Sequence, residues 1–169
     1  MNELRIIHFA TPWTILLDIA IWFVIHIAVV VVMASLPLRH FDPRSWLYRE
    51  RGWERGGELY EHVFRVRAWK HRLPDGAEII PWRSFPKRHL ERKTTEYFEH
   101  FAEETCRAEL THMFTMIWAP FFFFWNPVWV GWFMIVYIVA ENVPLIVAQR
   151  YNRIRMLRTI ERRRKAGKK

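Results

Sequence analysis

The run from Pro12 to Leu38, PWTILLDIAIWFVIHIAVVVVMASLPL, holds a lone carboxylate, a lone histidine and no lysine or arginine. As a helix rising about 1.5 Å per residue it reaches roughly 40 Å, more than the ~30 Å hydrocarbon core of a bilayer, so it can span with tilt. A cleaved leader has a shorter apolar core, of about 7–15 residues, behind a basic start. Here the run is longer and the start is nearly uncharged, so a retained transmembrane helix is expected.

The remaining residues repeat the contrast. Of 169 residues, 51% are hydrophobic and 25% charged, and the charged ones fall into blocks between apolar runs. Arg39 to Arg107 is soluble in character. Leu110 to Trp125 is apolar, Asn126–Pro127 breaks it, and Val128 to Ala148 is apolar again. Asn-Pro marks a turn, and Pro127 suits the start of the next helix. The expected architecture is an all-α integral membrane protein with about three transmembrane helices. One is the N-terminal span, and the others form a C-terminal helical hairpin. The first arm is short and Pro120 can kink it, so a re-entrant hairpin also fits. The chain then reads as one membrane domain over 1–169: a first transmembrane helix at 12–38, a cytosolic, partly helical interfacial segment at 39–109, a membrane hairpin at 110–148 and a basic cytosolic tail at 149–169.

Basic residues near the span ends set orientation. Before the first run the only one is Arg5, and the hairpin tip has none. The expected topology is a multi-pass protein of the cell membrane, with the N-terminus outside and the middle segment and C-terminus in the cytoplasm. Trp118, Trp125, Trp129 and Trp132 would lie near the outer interface. The net charge is +9. Without any nucleic-acid motif it points to anionic lipid as the partner of the tail, not to nucleic acid. Oligomeric state is left open. The single cysteine, Cys106, excludes an intramolecular disulfide and a thiolate metal cage.

Within the middle segment, Lys87 to Arg107 reads as an amphipathic helix, with Leu90, Thr94, Tyr97, Phe101 and Ala108 at helical spacing. Glu103 and Arg107 stand four apart, the favourable order for an ion pair. Nothing between Thr105 and Ile117 breaks this helix, so it is expected to run on into the membrane. Leu73 to Ala77, LPDGA, is a turn, and Pro81 and Pro86 keep their neighbourhood extended or looped.

Three sets of residues carry candidate chemistry. Glu109 and His112 are three apart and share a helix face, with Arg107 close by. A His–Glu pair can act as a general base, and the arginine can bind a phosphate or a carbonyl oxygen. The competing reading is an interfacial anchor. The second choice is Glu58 and His62, beside Glu61 and the Gly56–Gly57 turn, which also reads as a plain surface turn. Asp18, His26 and the Glu141–Asn142 pair form the third set, since ionisable groups in apolar runs face a cavity or join helices. Cys106 lacks a thiolate-stabilising motif and is expected to be inert. No His-x-x-His or His-x-x-x-His pair occurs, and no bound metal or cofactor is expected.

Four blocks in order resemble one family: RGWERGGELYEHVFRVRAWKHRLPDGA (Arg51–Ala77), ETCRAELTH (Glu104–His112), WNP (Trp125–Pro127) and QRYNR (Gln149–Arg153). They resemble the bacterial glycosyl-4,4'-diaponeurosporenoate acyltransferases, over most of the chain from Arg51 to about Leu157. The resemblance implies an O-acyltransferase at the end of C30 carotenoid synthesis, of the staphyloxanthin type. Such an enzyme esterifies a sugar hydroxyl of a glycosylated carotenoid acid, or a related glycolipid, with a fatty acyl group. Acyl-CoA or another acyl donor would be the co-substrate. His112 would take the hydroxyl proton, Glu109 would orient it and Arg107 would meet the oxyanion. Trp53, Glu54, Arg55, Asn142, Gln149, Arg150, Asn152 and Arg153 are the candidate substrate-binding positions, with Arg150 and Arg153 holding donor phosphates. The His-x4-Asp signature of many acyltransferases is missing, since His40 precedes Asp42 by two. Two other readings compete: a non-enzymatic membrane adaptor with a cytosolic partner-binding segment, and a lipid hydroxylase with bound iron.

Overall fold

The structure is a computed structural model, and it describes residues 6–7, 10–73 and 94–167. All regular structure among these residues is helical. The elements are α1 (Thr11–Ser35), α2 (Glu58–His62), α3 (Val66–Trp69), α4 (Thr95–Ile117) and α5 (Val128–Ala166). Short 3₁₀ turns lie at Leu38–His40, Gly52–Gly57, Lys70–Arg72 and Ala119–Phe124. The expected helix start near Lys87, the turn after Leu73 and the loop around Pro81 and Pro86 fall outside the described residues. The chain divides into two compact units: Met1–Leu36 with Leu110–Ile146, and Pro37–Glu109 with Val147–Lys169.

The first unit is apolar. Helix α1 buries only Thr14, Val29 and Met33, while Leu16, Phe23 and Val31 stay more than half exposed. An outward apolar surface of this extent suits lipid better than water. Helix α1 and the apolar part of α5 are each long and apolar enough to cross a membrane. Residues 110–125 form no third helix of that length. Helix α4 stops at Ile117, and Pro120 lies in the first turn of the 3₁₀ segment Ala119–Phe124, because proline has no N–H to extend the helical ladder. The Pro127 carbonyl accepts from Val130 and Gly131 at 2.9 and 3.1 Å, which starts α5. Ala119, Phe122 and Ile138 make the core, against Ile21, Trp22 and Ile25 of α1. Gly131 is required there, since a Cβ would lie 2.5 Å from the Phe123 ring.

The second unit is charged, and its helices are set by local chemistry. The Thr94 hydroxyl accepts from the Tyr97 N–H at 3.2 Å and caps α4. Phe98, Ala102, Thr105 and Glu109 recur at four, three and four residues and are all buried, so the inward stripe of α4 ends in a carboxylate. Beyond Gln149 the chain continues as α5 through Ala166. Tyr151 and Ile154 pack with Ala148, Tyr60 and Val66 into the core of this unit. The polybasic stretch is therefore a structural helix at its start, and Arg162 to Ala166 is exposed.

Candidate functional site

In the apolar unit the polar residues meet in three small groups. Asp18 on α1 accepts two hydrogen bonds on one carboxylate oxygen, from Trp125 Nε1 and Asn126 Nδ2, each 2.7 Å long. This contact gives the WNP block its local role: the indole and amide close over a carboxylate that lipid could not solvate. His26 Nε2 lies 3.5 Å from Glu141 Oε1, and its Nδ1 is 3.0 Å from the Trp22 carbonyl. The other Glu141 oxygen is buried with no hydrogen-bond partner.

The third group is His112 with Asn142. His112 Nδ1 and Asn142 Oδ1 are 2.9 Å apart, and Asn142 Nδ2 donates to the Ile138 carbonyl at 2.9 Å. That second bond fixes the amide, so Oδ1 faces the ring and Nδ1 must carry the proton. In the neutral imidazole, Nε2 is then the acceptor nitrogen. A histidine locked in this tautomer presents the lone pair that a general base needs.

The charged unit holds a tighter ionic cluster. Glu54 sits in the turn after Arg51, is wholly buried, and accepts the Arg51 N–H at 2.5 Å and the Tyr60 hydroxyl. Arg150 bridges two carboxylates, with Nε 2.9 Å from Glu54 Oε1 and Nη1 2.9 Å from Glu109 Oε1. Arg153 Nη2 reaches the other Glu109 oxygen at 2.5 Å, and its Nε donates to the Tyr48 carbonyl at 3.1 Å. Burial pushes the Glu54 carboxyl up, but the hydrogen bonds from Arg150, Tyr60 and the Arg51 N–H outweigh it and hold the group below its ordinary value. Each carboxylate in the cluster faces at least one guanidinium.

The expected site residues thus fall into different roles. His112 has Asn142 on its ring, while both oxygens of Glu109 are taken by arginines. Arg107 pairs with Glu104 at 2.5 Å on its own helix. Asn152 accepts from Lys70 at 2.8 Å. Trp53 is 60% exposed, Arg55 is exposed at the left-handed φ of 45°, and Gln149 is half-buried. Glu58 and His62 are exposed. Cys106 is fully buried, and burial pushes its thiol up to about 12, which leaves no thiolate to attack an acyl group. Sequence reasoning overlooked Tyr60, whose hydroxyl completes the Glu54 cluster. Its signal was a tyrosine six residues from a glutamate, too ordinary a spacing to single out.

Residues 43–162 match the family model described as CrtO, glycosyl-4,4'-diaponeurosporenoate acyltransferase. The chain belongs to this family. It is similar to the glycosyl-4,4'-diaponeurosporenoate acyltransferase of Staphylococcus aureus strain USA300, at 30% identity over 145 residues, covering 84% of this chain and 87% of that protein. The protein of the same name from Staphylococcus haemolyticus strain JCSC1435 is 31% identical over 142 residues, covering 83% and 81%. No solved structure matches. The matched region of this CrtO-family acyltransferase takes in Glu54, Glu109, His112, Asn142, Arg150 and Arg153.

Proposed function

We propose that the chain transfers a fatty acyl group from an activated donor to a sugar hydroxyl of a membrane glycolipid. A glycosylated C30 carotenoid acid is the acceptor class that the relatives' names suggest. His112 is the general base. Its Nε2 takes the hydroxyl proton as the sugar oxygen attacks the acyl carbonyl carbon. When the tetrahedral intermediate collapses, the bond to the donor's leaving group breaks and the proton passes to that group. Arg107, on the same helix, is the candidate donor for the developing oxyanion.

The observation that carries this reading is the His112–Asn142 hydrogen bond, 2.9 Å long, which fixes the ring tautomer. Asn142 takes the orienting role that spacing alone suggested for Glu109. Glu109 is instead the residue that positions Arg150 and Arg153. The expected topology, with the N-terminus outside, the charged unit in the cytoplasm and 110–148 as a spanning or re-entrant hairpin, is part of the same proposal. It is supported by the distribution of basic residues and by the two helices of spanning length.

The test is acyl transfer in isolated membranes. His112→Ala should lower the rate about 10²–10⁴-fold, the usual contribution of a positioned base, and Asn142→Ala should lower it less. Normal transfer by His112→Ala together with a loss in His26→Ala would move the base to the His26–Glu141 pair. Full activity in both would leave this mechanism without a base. An unchanged glycolipid profile in cells lacking the gene would favour the adaptor.

A further inference from the structure

The arginines expected to hold donor phosphates, Arg150 and Arg153, already have carboxylate partners. A second set of arginines is less tightly matched. Arg155, Arg158, Thr159 and Arg162 lie three, four and seven residues apart on α5, so they form one stripe. They line a cleft of about 250 Å³ in the charged unit, together with Gly56, Glu58, Glu61 and Arg67 from the segment opposite.

The cleft is held in shape by fixed contacts at its floor. The Tyr151 hydroxyl accepts from Arg67 Nε at 2.8 Å and from Arg155 Nη1 at 3.2 Å, and donates to Glu61 at 2.7 Å. Arg67 also reaches Glu61 at 2.9 Å. Arg158 lies directly over Gly56, where any Cβ would overlap its guanidinium, and the φ of 70° at Gly56 suits only glycine. The nearest carboxylate to Arg158 is Glu50, at a loose 3.7 Å. Among the described residues Arg162 has no carboxylate within ion-pair range. Among the described residues four guanidinium groups thus face three carboxylates, Glu50, Glu58 and Glu61, of which Glu61 is engaged by Tyr151 and Arg67.

We propose that this cleft binds the phosphate ester of the acyl donor, which makes the donor a phosphorylated thioester of the coenzyme A class. The fork of a guanidinium matches phosphate oxygens two at a time, and several such forks converge here. The carboxylates favour this source over a phospholipid headgroup. Glu58 can accept from a ligand hydroxyl or amine while Glu61 is held by Tyr151 and Arg67, and a carboxylate among the cations weakens adhesion of the same surface to anionic lipid. The inference rests on the acyl-transfer reading for its ligand, and on the cleft alone for its chemistry.

Binding of adenosine 3',5'-bisphosphate to the full chain in neutral phosphatidylcholine nanodiscs, followed by calorimetry, tests it without any turnover. The wild type should bind. Arg158→Gln should weaken binding at least 10-fold, and Lys165→Gln, which removes the same charge outside the cleft, less than twofold. Equal weakening by both substitutions would mean a diffuse positive field and overturn the site. Absence of nucleotide binding, with flotation on phosphatidylglycerol vesicles reduced by Arg158→Gln but not by Lys165→Gln, would overturn the donor assignment and give the cleft to a lipid phosphate. Retained nucleotide binding by a protein that transfers no acyl group would sink the acyltransferase reading and leave the phosphate site standing.

Discussion

In the apolar unit, polar side chains are few and meet in small groups: Asp18 with Trp125 and Asn126, His112 with Asn142, His26 with Glu141. In the charged unit, Glu54 and Glu109 are buried with Arg150 and Arg153 in one continuous ionic cluster. The difference follows from what each carboxylate gains. A carboxylate in an apolar unit, such as Asp18, needs enough donors to replace water, and here two neutral ones do so. A fully buried glutamate inside a polar unit needs opposite charge and several hydrogen bonds before its desolvation is offset. The His112–Asn142 pair leaves the ring Nε2 as the acceptor nitrogen, whereas the ionic cluster, with both Glu109 oxygens held, fixes geometry.

The comparison is tested most severely at Glu109. Glu109→Gln leaves the buried Arg153 without its carboxylate and should cost about 3–5 kcal/mol of unfolding free energy, the usual penalty for breaking a buried pair. Glu99→Gln, at the exposed pair with Arg164, should cost less than about 1 kcal/mol in the same thermal melt. A similar small cost at both would show that the cluster does not hold the charged unit together.

Asp18→Ala probes the other side of the contrast. It strands the Trp125 and Asn126 donors, at about 1–3 kcal/mol for an unsatisfied group. Asp18→Asn keeps an acceptor oxygen and should cost less. If Asn were as damaging as Ala, charge rather than hydrogen bonding would matter in the apolar unit as well.

Acid should act mainly on the charged unit. The Glu54 carboxyl is held below its ordinary value of 4.5 in the fold, so its stabilisation is present above that pH. It is lost as pH falls through the lower folded-state value. Melting temperature followed downward from pH 5 should drop, and Glu54→Gln should flatten that dependence. The smallest effect is expected at Cys106. Cys106→Ser should retain acyl transfer within about twofold, because a buried thiol pushed up to about 12 has no part in the reaction. A large loss would restore it as a nucleophile.

The helices were legible because their cause is local. The run from Pro12 to Leu38 became α1 at Thr11–Ser35, and Pro127 stands at the start of α5. The run 110–125 is short for a span, and its proline is expected to kink it. Its hydropathy is that of a span, but Pro120 turns its second half into a 3₁₀ segment. At the candidate site, spacing put Glu109 beside His112 because a sequence shows only neighbours three or four residues away. The partners observed are Arg150 and Arg153, some forty residues along the chain. Their pairing depends on how α4 and the later part of α5 pack within the charged unit. Glu54 was a candidate for substrate binding, but its burial against Arg150 was hidden for the same reason. A GWERGG turn reads as exposed until Arg150, far along the chain, supplies its counter-ion.

Tyr151 is fully buried in the core of the charged unit. Its single phenolic oxygen serves Arg67, Arg155 and Glu61 at once. Substitutions among these four side chains will therefore not behave independently. Once the shared oxygen is gone, deleting a second member should do little further harm, so the whole junction behaves as one thermodynamic unit.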